Sequence, residues 1–189
     1  HKIKTMASFC FKVTQQLETS DKDAIRPVYV TAFYTSYLDL NIQGVDEKWL
    51  SQVFDKFVAD PKPCTHVVMY DNDVNKNVIG YAALNFEEDY CYLAHLAVSP
   101  QLWHSKPQAN SSPSGISPAS ALVQYIDKLV LEKLAQSSNK TTSIRLITRK
   151  ANTRAIKYYL KHGYVHNSNF SLPQYDMNVY IAYERYLHL

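Results

Sequence analysis

The chain has 189 residues, 20% of them charged, and a formal net charge of +3, which is too weak to argue for a nucleic-acid partner. At 46% hydrophobic it has the composition of a soluble globular domain with a sizeable core, and no apolar run approaches the roughly 18 residues of a membrane span. Cys10, Cys64 and Cys91 lack CxxC spacing and the seven histidines lack HxH or HExxH spacing, so no disulfide framework or metal is expected, and reduced thiols fit a cytoplasmic protein.

Residues 1–5, ahead of Met6, read as a cloning remnant with Met6 the natural initiator; a native strand start is the alternative. Residues 6–189 then form a single domain. Residues 8–14 alternate as a first strand. Ser20 and Asp23 are spaced as a capping box, opening a helix to about Leu40. Ala24, Ile25, Val28, Ala32 and Phe33 form its buried stripe, with Pro27 expected near the first turn. Asp46 and Glu47 open a second helix, which carries Trp49, Leu50, Val53, Phe54, Phe57 and Val58 at helical spacing and stops at Asp60-Pro61.

Residues 66–70 and 78–86 read as a hairpin across a turn at 71–77, with Gly80 at a bulge or a close backbone approach. A turn at Glu87, Glu88 and Asp89 leads to a central strand at 90–98. Residues 99–118 lack periodicity and read as a surface loop. A helix over 119–135 buries Leu122, Val123, Ile126, Leu129, Val130 and Leu134. Then follow a strand at 143–148, a short helix from Asn152, and two closing strands at 164–170 and 177–186. The order β-α-α-β-β-β-α-β-α-β-β implies a mixed sheet, parallel at its centre and antiparallel at both ends, with helices on both faces.

The helix within residues 152–164 has its own punctuation, an Asn at the start and a Gly-Tyr step at the end. At 100° per residue, Tyr159 and Gly163 each project within about 20° of Asn152, with Ala155 beside them. An amide, a phenol and small residues on one stripe make a floor for a ligand rather than a core face. With 15 tyrosines in the chain, an edge-of-core tyrosine is the competing explanation for Tyr159.

Two segments resemble the GNAT superfamily of acyl-CoA-dependent N-acyltransferases, and the likeness spans about 8–187. Leu93-Ala94-His95-Leu96-Ala97-Val98-Ser99-Pro100 is similar to the family's central strand ending Leu-Ala-Val-x-Pro. Asn152-x-x-Ala155-x-x-Tyr158-Tyr159-x-x-x-Gly163-Tyr164 is similar to its Asn-x-x-Ala-x-x-hydrophobic-Tyr-x-x-x-Gly-Phe helix, with Tyr164 in place of Phe.

The resemblance implies a mostly antiparallel sheet whose central parallel pair splays. It also implies transfer of an acetyl group from acetyl-CoA to an amine, by direct attack in a ternary complex. The backbone of Leu96, Ala97 and Val98 would hold the pantetheine arm as an added strand. Asn152 would hydrogen-bond the arm or a nearby phosphate, and Tyr159 would protonate the leaving thiolate as general acid. The family's phosphate loop is altered here, with Ser114, Ser117 and Ala119 at its usual Arg/Gln and Gly positions and about 11 extra residues. Pyrophosphate binding would then fall to the amides of Ser117, Ala119, Ser120 and Ala121, with Pro118 at N1 of the helix and Gly115-Ile116-Ser117 supplying the turn.

The family's base position matches Tyr92 or Ala94, neither of them a base. His95 points to the opposite strand face, where a satisfied core histidine is the expectation, and Glu88 with Glu87 and Asp89 reads as a solvated turn. The base is unassigned. By the same resemblance, residues 37–45 and 169–176 would form the acceptor groove, containing Tyr37, Asp39, Asn41, Gln174, Tyr175 and Asp176. The acceptor would be a small-molecule or protein amine. The rival reading is a weak or inactive acyl-CoA-binding sensor or scaffold. A nucleic-acid surface built on Lys140, Arg145, Arg149, Lys150, Arg154, Lys157 and Lys161 has only charge behind it.

Overall fold

The computed structural model describes residues 4–6, 9–71, 77–103, 116–134 and 142–187. Its strands are β1 Lys4–Met6, β2 Phe9–Thr14, β3 Thr65–Asp71, β4 Val78–Phe86, β5 Tyr90–Val98, β6 Thr142–Arg149, β7 Val165–His166 and β8 Tyr180–Leu187. The helices are α1 Thr19–Asp39, α2 Glu47–Ala59, α3 Pro118–Leu134 and α4 Thr153–Lys161, with a 3-10 turn at Pro100–Leu102. Strand order is β1-β2-β3-β4-β5-β6-β8-β7. The β5–β6 pair is parallel, and β1–β2, β2–β3, β3–β4, β6–β8 and β7–β8 are antiparallel. The expected mixed α/β sheet is therefore present. Two compact units divide the chain, His1–Leu84 with His95–Ile126, and Asn85–Ala94 with Asp127–Leu189.

In the first unit, alternation along the strands directs residues to two faces. Phe11, Met69 and Gly80 are successive register partners across β2, β3 and β4. Phe11 stacks on Tyr125 of α3 at 4.0 Å, and a Cβ on Gly80 would meet Met69 Cε at 2.7 Å and Leu122 Cδ2 at 3.3 Å. A larger residue there would displace the flexible end of Met69 and press on Leu122. The register also shifts between Met69 and Tyr70, which is the expected irregularity, whereas side chains and not backbone make the near approach to Gly80. On the opposite face, Tyr81 packs against Tyr29 of α1 and Phe54 of α2. Helices thus cover both faces of this part of the sheet.

Four details of this unit differ from the sequence expectation. Lys4 and Thr5 pair with Phe11 and Cys10, forming a strand ahead of the expected first one. Helix α1 is capped by Glu18 and Asp21 rather than Ser20 and Asp23, the Glu18 N–H donating to Asp21 Oδ2 at 3.1 Å. Asp21 is fixed by Lys12 Nζ, 2.8 Å from both carboxylate oxygens, and this cross-element ion pair sets where the helix starts. Pro27 lies inside the helix on an exposed position, where water can reach the carbonyl it leaves without a donor. Ala24 is exposed, and Tyr29 is buried in its place. Helix α2 follows expectation, Asp46 Oδ1 accepting the Trp49 N–H at 2.7 Å, although Trp49 itself is exposed.

In the second unit, β6 and β8 pair from Thr142↔Leu187 to Arg149↔Tyr180. Tyr92, Phe170 and Ala182 form a buried cluster with Tyr90, Ala94, Ile147, Leu172, Tyr175 and Met177 around it. Glu184, also buried, accepts from Arg145 Nε at 2.7 Å, Asn167 Nδ2 at 2.6 Å and Tyr186 Oη at 3.2 Å. The expected strand at 164–170 shrinks to Val165–His166. Asn167 turns the chain instead, its Oδ1 accepting the Asn169 N–H at 3.0 Å. Asp176 likewise makes a turn of residues expected in the last strand, its Oδ1 accepting from Asn178. The expected turn at 71–77 and loop at 99–118 lie mostly outside the described residues.

Candidate active site

Both ends of α4 are fixed by local hydrogen bonds. Asn152 is the N-cap, its Oδ1 accepting the Ala155 N–H at 3.2 Å. At the other end Gly163 adopts φ +81°, which favours glycine. The Gly163 N–H donates to Leu160 O and the Tyr164 N–H to Tyr159 O, both at 3.1 Å. These two bonds form a Schellman turn, in which Tyr159 is the third residue from the helix end. The apolar contact that accompanies such a turn is present, with the Tyr159 and Tyr164 rings 5.5 Å apart.

Asn152, Tyr159, Gly163 and Tyr164 therefore all have a structural job. What remains for chemistry is the Tyr159 phenol. No hydrogen-bond partner meets its hydroxyl among the described residues, and burial pushes its pKa up to about 12. At neutral pH it keeps its proton and has a hydrogen bond to offer.

The end of β5 lies in the first unit. Ser99 N–H donates to Ile79 O of β4 at 3.0 Å. Backbone groups alternate edges along a strand, so Ala97 also addresses β4, while Leu96 and Val98 face the other edge. Of the three expected arm-holding residues, Ala97 is thus the one turned away. The Val98 carbonyl on that open edge already accepts Trp103 Nε1 at 2.8 Å. That contact has no sequence signature, since it joins the strand to the turn that follows it. The parallel ladder to β6 is short, running Tyr90↔Ser143, Cys91↔Ile144 and Tyr92↔Arg145. Both strands are longer than this ladder, β5 running to Val98 and β6 to Arg149.

At the start of α3, Pro118 is the first helical residue, as its missing donor favours. Ser117 caps it, accepting the Ser120 N–H on Oγ at 3.2 Å and the Ala121 N–H on its carbonyl at 2.9 Å. The Ser117 hydroxyl donates to Ser120 Oγ at 3.0 Å. The Ser120 and Ala121 amides, expected to face a phosphate, are engaged within the helix. Ser114 and Gly115 lie outside the described residues.

His95 sits in the first unit among aromatic rings. Phe57 lies 4.3 Å from it, Tyr29 5.4 Å and Phe33 6.0 Å, and its Nδ1 is 3.3 Å from the Tyr29 hydroxyl. Burial lowers its pKa to about 4. That is a satisfied core histidine and a poor base. His66 is its counterpart, with Nδ1 2.8 Å from the Tyr81 hydroxyl and a pKa also lowered to about 4 by burial. Glu88 is exposed. In the second unit, Tyr92 donates to Tyr175 Oη at 3.3 Å, which joins one of the acceptor segments to β5. In the other, Asn41 and Gly44 adopt positive φ. No cluster of His, Cys, Asp or Glu able to hold a metal occurs among the described residues, nor any helix long and apolar enough to cross a membrane.

Neither a family model nor a curated protein matches the sequence. Solved structures do match the fold. The PaiA N-acetyltransferase of Thermoplasma acidophilum, in complex with coenzyme A, aligns over 93% of this chain and 98% of its own, at 14% identity and a TM-score of 0.66. The chain has the GNAT fold. A second GNAT-fold neighbour is the ribosomal-protein-alanine N-acetyltransferase of Escherichia coli, covering 95% of each chain at 16% identity and a TM-score of 0.55. A third is the spermidine N-acetyltransferase of Vibrio cholerae, in complex with coenzyme A and spermine, covering 94% and 95% at 15% identity and a TM-score of 0.51.

Proposed function

We propose that the chain is an acyl-CoA-dependent N-acyltransferase that moves an acetyl group from acetyl-CoA to an amine. The observation that carries this reading is Tyr159, a protonated phenol without a partner among the described residues, on a helix held at both ends. The GNAT fold shared with three N-acetyltransferases supports it. In the proposed step the amine nitrogen attacks the thioester carbonyl in a ternary complex, and collapse of the tetrahedral intermediate breaks the C–S bond. Complete transfer from a phenol near 12 to a free thiolate with a thiol pKa near 8.5 is uphill by about 5 kcal/mol. Tyr159 therefore acts by donating a hydrogen bond to sulfur as charge develops there, and the amine proton leaves through water. By the family resemblance, the backbone of Leu96 and Val98 would bind the pantetheine amides, the Ser117, Ala119, Ser120 and Ala121 segment would take the pyrophosphate once its internal bonds yield, and Asn152 would hydrogen-bond the arm.

A second reading, a sensor or scaffold that binds acyl-CoA without turnover, draws on one observation. The Val98 carbonyl and the Ser120 and Ala121 amides are engaged internally. Two measurements separate these readings. Acetyl-CoA at about 100 times its dissociation constant should stabilise the fold by about 2.7 kcal/mol in a thermal melt. Thiol release across a panel of small amines and amino-terminal peptides then tells enzyme from sensor. No shift at millimolar acetyl-CoA sinks both.

A further inference from the structure

We propose that Arg185 is a positioning residue for Tyr159, acting through the C-terminal turn of α4; this deepens the reading above and rests on it. Arg185 lies on β8 with only 14% of its side chain exposed. Its Nη2 is ion-paired with Asp127 of α3, in the same unit. Its Nη1 donates at 2.9 Å to the carbonyl of His162, the residue that caps α4. Its Cζ stands 4.8 Å from the centre of the Tyr164 ring, and its Cδ 3.5 Å from where a Cβ on Gly163 would lie. The guanidinium thus bonds His162 and lies over Tyr164, and the methylene stem passes beside Gly163.

That turn is what fixes Tyr159. The Tyr164 N–H bonds the Tyr159 carbonyl, the Gly163 N–H bonds Leu160, and the Tyr159 and Tyr164 rings are in contact. Moving His162, Gly163 or Tyr164 moves the backbone from which the phenol projects. Burying a guanidinium is costly and needs a specific return. Here desolvation lowers the Arg185 pKa, and its Nε is buried with no hydrogen-bond partner. A methionine or leucine would fill the same space without that orphan donor, but neither could bond the His162 carbonyl. The arginine is retained where a fork is needed, with one arm on the counter-ion and one on the helix cap.

The test substitutes Arg185 in the wild-type and Tyr159→Phe backgrounds. Arg185→Lys keeps the cation against Asp127 but loses the fork. With acetyl-CoA and the fastest amine of the panel, it should lower kcat about tenfold and leave KM for acetyl-CoA within about twofold. In the Tyr159→Phe background the same change should alter kcat by less than about twofold, since the group being positioned is gone. Exchange of the Gly163 and Tyr164 amides should also quicken about tenfold in Arg185→Lys, a readout that needs no acceptor. Equal kcat losses in both backgrounds, a loss confined to KM, or unchanged exchange would overturn the proposal. An unchanged kcat in Tyr159→Phe would overturn the acid reading and this one with it. A slow Tyr159→Phe beside a fully active Arg185→Lys would overturn this one alone.

Discussion

The core tyrosines Tyr81 and Tyr29 of the first unit contrast with Tyr159 of the second. In the first, Tyr81 and Tyr29 each point a hydroxyl at a histidine ring nitrogen, His66 at 2.8 Å and His95 at 3.3 Å, within a cage of aromatic rings. In the second, Tyr159 is half-buried, with its pKa raised by desolvation, and its hydroxyl meets no partner among the described residues. Paired hydroxyls explain themselves as structure, because an unpaired polar group in a core costs free energy. The Tyr159 phenol, half-buried on a doubly capped helix, keeps a donor that the fold's described hydrogen bonds do not use. The contrast separates two aromatic clusters that composition alone makes look alike.

The largest expected effect tests the first unit. His66 and His95 have folded pKa values near 4 against an ordinary 6.5. As pH falls below 6.5 the unfolded chain takes up protons first, so stability is full above about 6.5 and is lost on the way down to 4. Each histidine contributes about 3 kcal/mol of that dependence, an upper figure. Urea midpoints between pH 7 and 4.5 should fall steeply, and His95→Gln should remove much of the slope. A flat profile in the wild type would break the account of this cluster.

Hydroxyl deletion sharpens the comparison directly. Tyr81→Phe strands a buried histidine nitrogen and should cost about 1–3 kcal/mol in urea unfolding. Tyr159→Phe removes no hydrogen bond among the described residues and should leave the urea midpoint unchanged. Equal losses would erase the distinction drawn between the units. Gly163→Ala forces an L side chain to φ +81° and should cost about 1–2 kcal/mol, read as a lower melting temperature. The smallest effect is at the other end of α4. Asn152→Ala should cost about 1 kcal/mol, whereas Asn152→Asp keeps the cap and should be near neutral. If Asn152→Asp also binds acetyl-CoA as the wild type does, Asn152 is a cap and nothing more.

Most of the architecture was legible where local chemistry decides it. Asp46, Asn152, Pro118 and Gly163 announce helix ends through their own side chains or φ, and the bounds of β4 and β5 follow from alternation between turn residues. Gly80 stood out because glycine is scarce. The failures came where a distant residue decides. Lys12 pulls Asp21 into the α1 cap, Asn167 bends away from the strand pattern to reach Glu184, and Trp103 takes the Val98 carbonyl. The same holds for the candidate site. Its helix was readable from Asn152 to Tyr164, but Arg185, which braces that helix from β8, carries no local signal. The state of the Tyr159 hydroxyl depends on what surrounds it in space, and sequence spacing does not report that.

The central claim is that the Tyr159 hydroxyl serves the transfer step and not the fold. Thiol release from acetyl-CoA under saturating amine, wild type against Tyr159→Phe, tests it most directly. The account predicts a fall in kcat of about 10²-fold with KM for acetyl-CoA and the melting temperature unchanged. An unaltered kcat, or a loss that tracks a lower melting temperature, would contradict it.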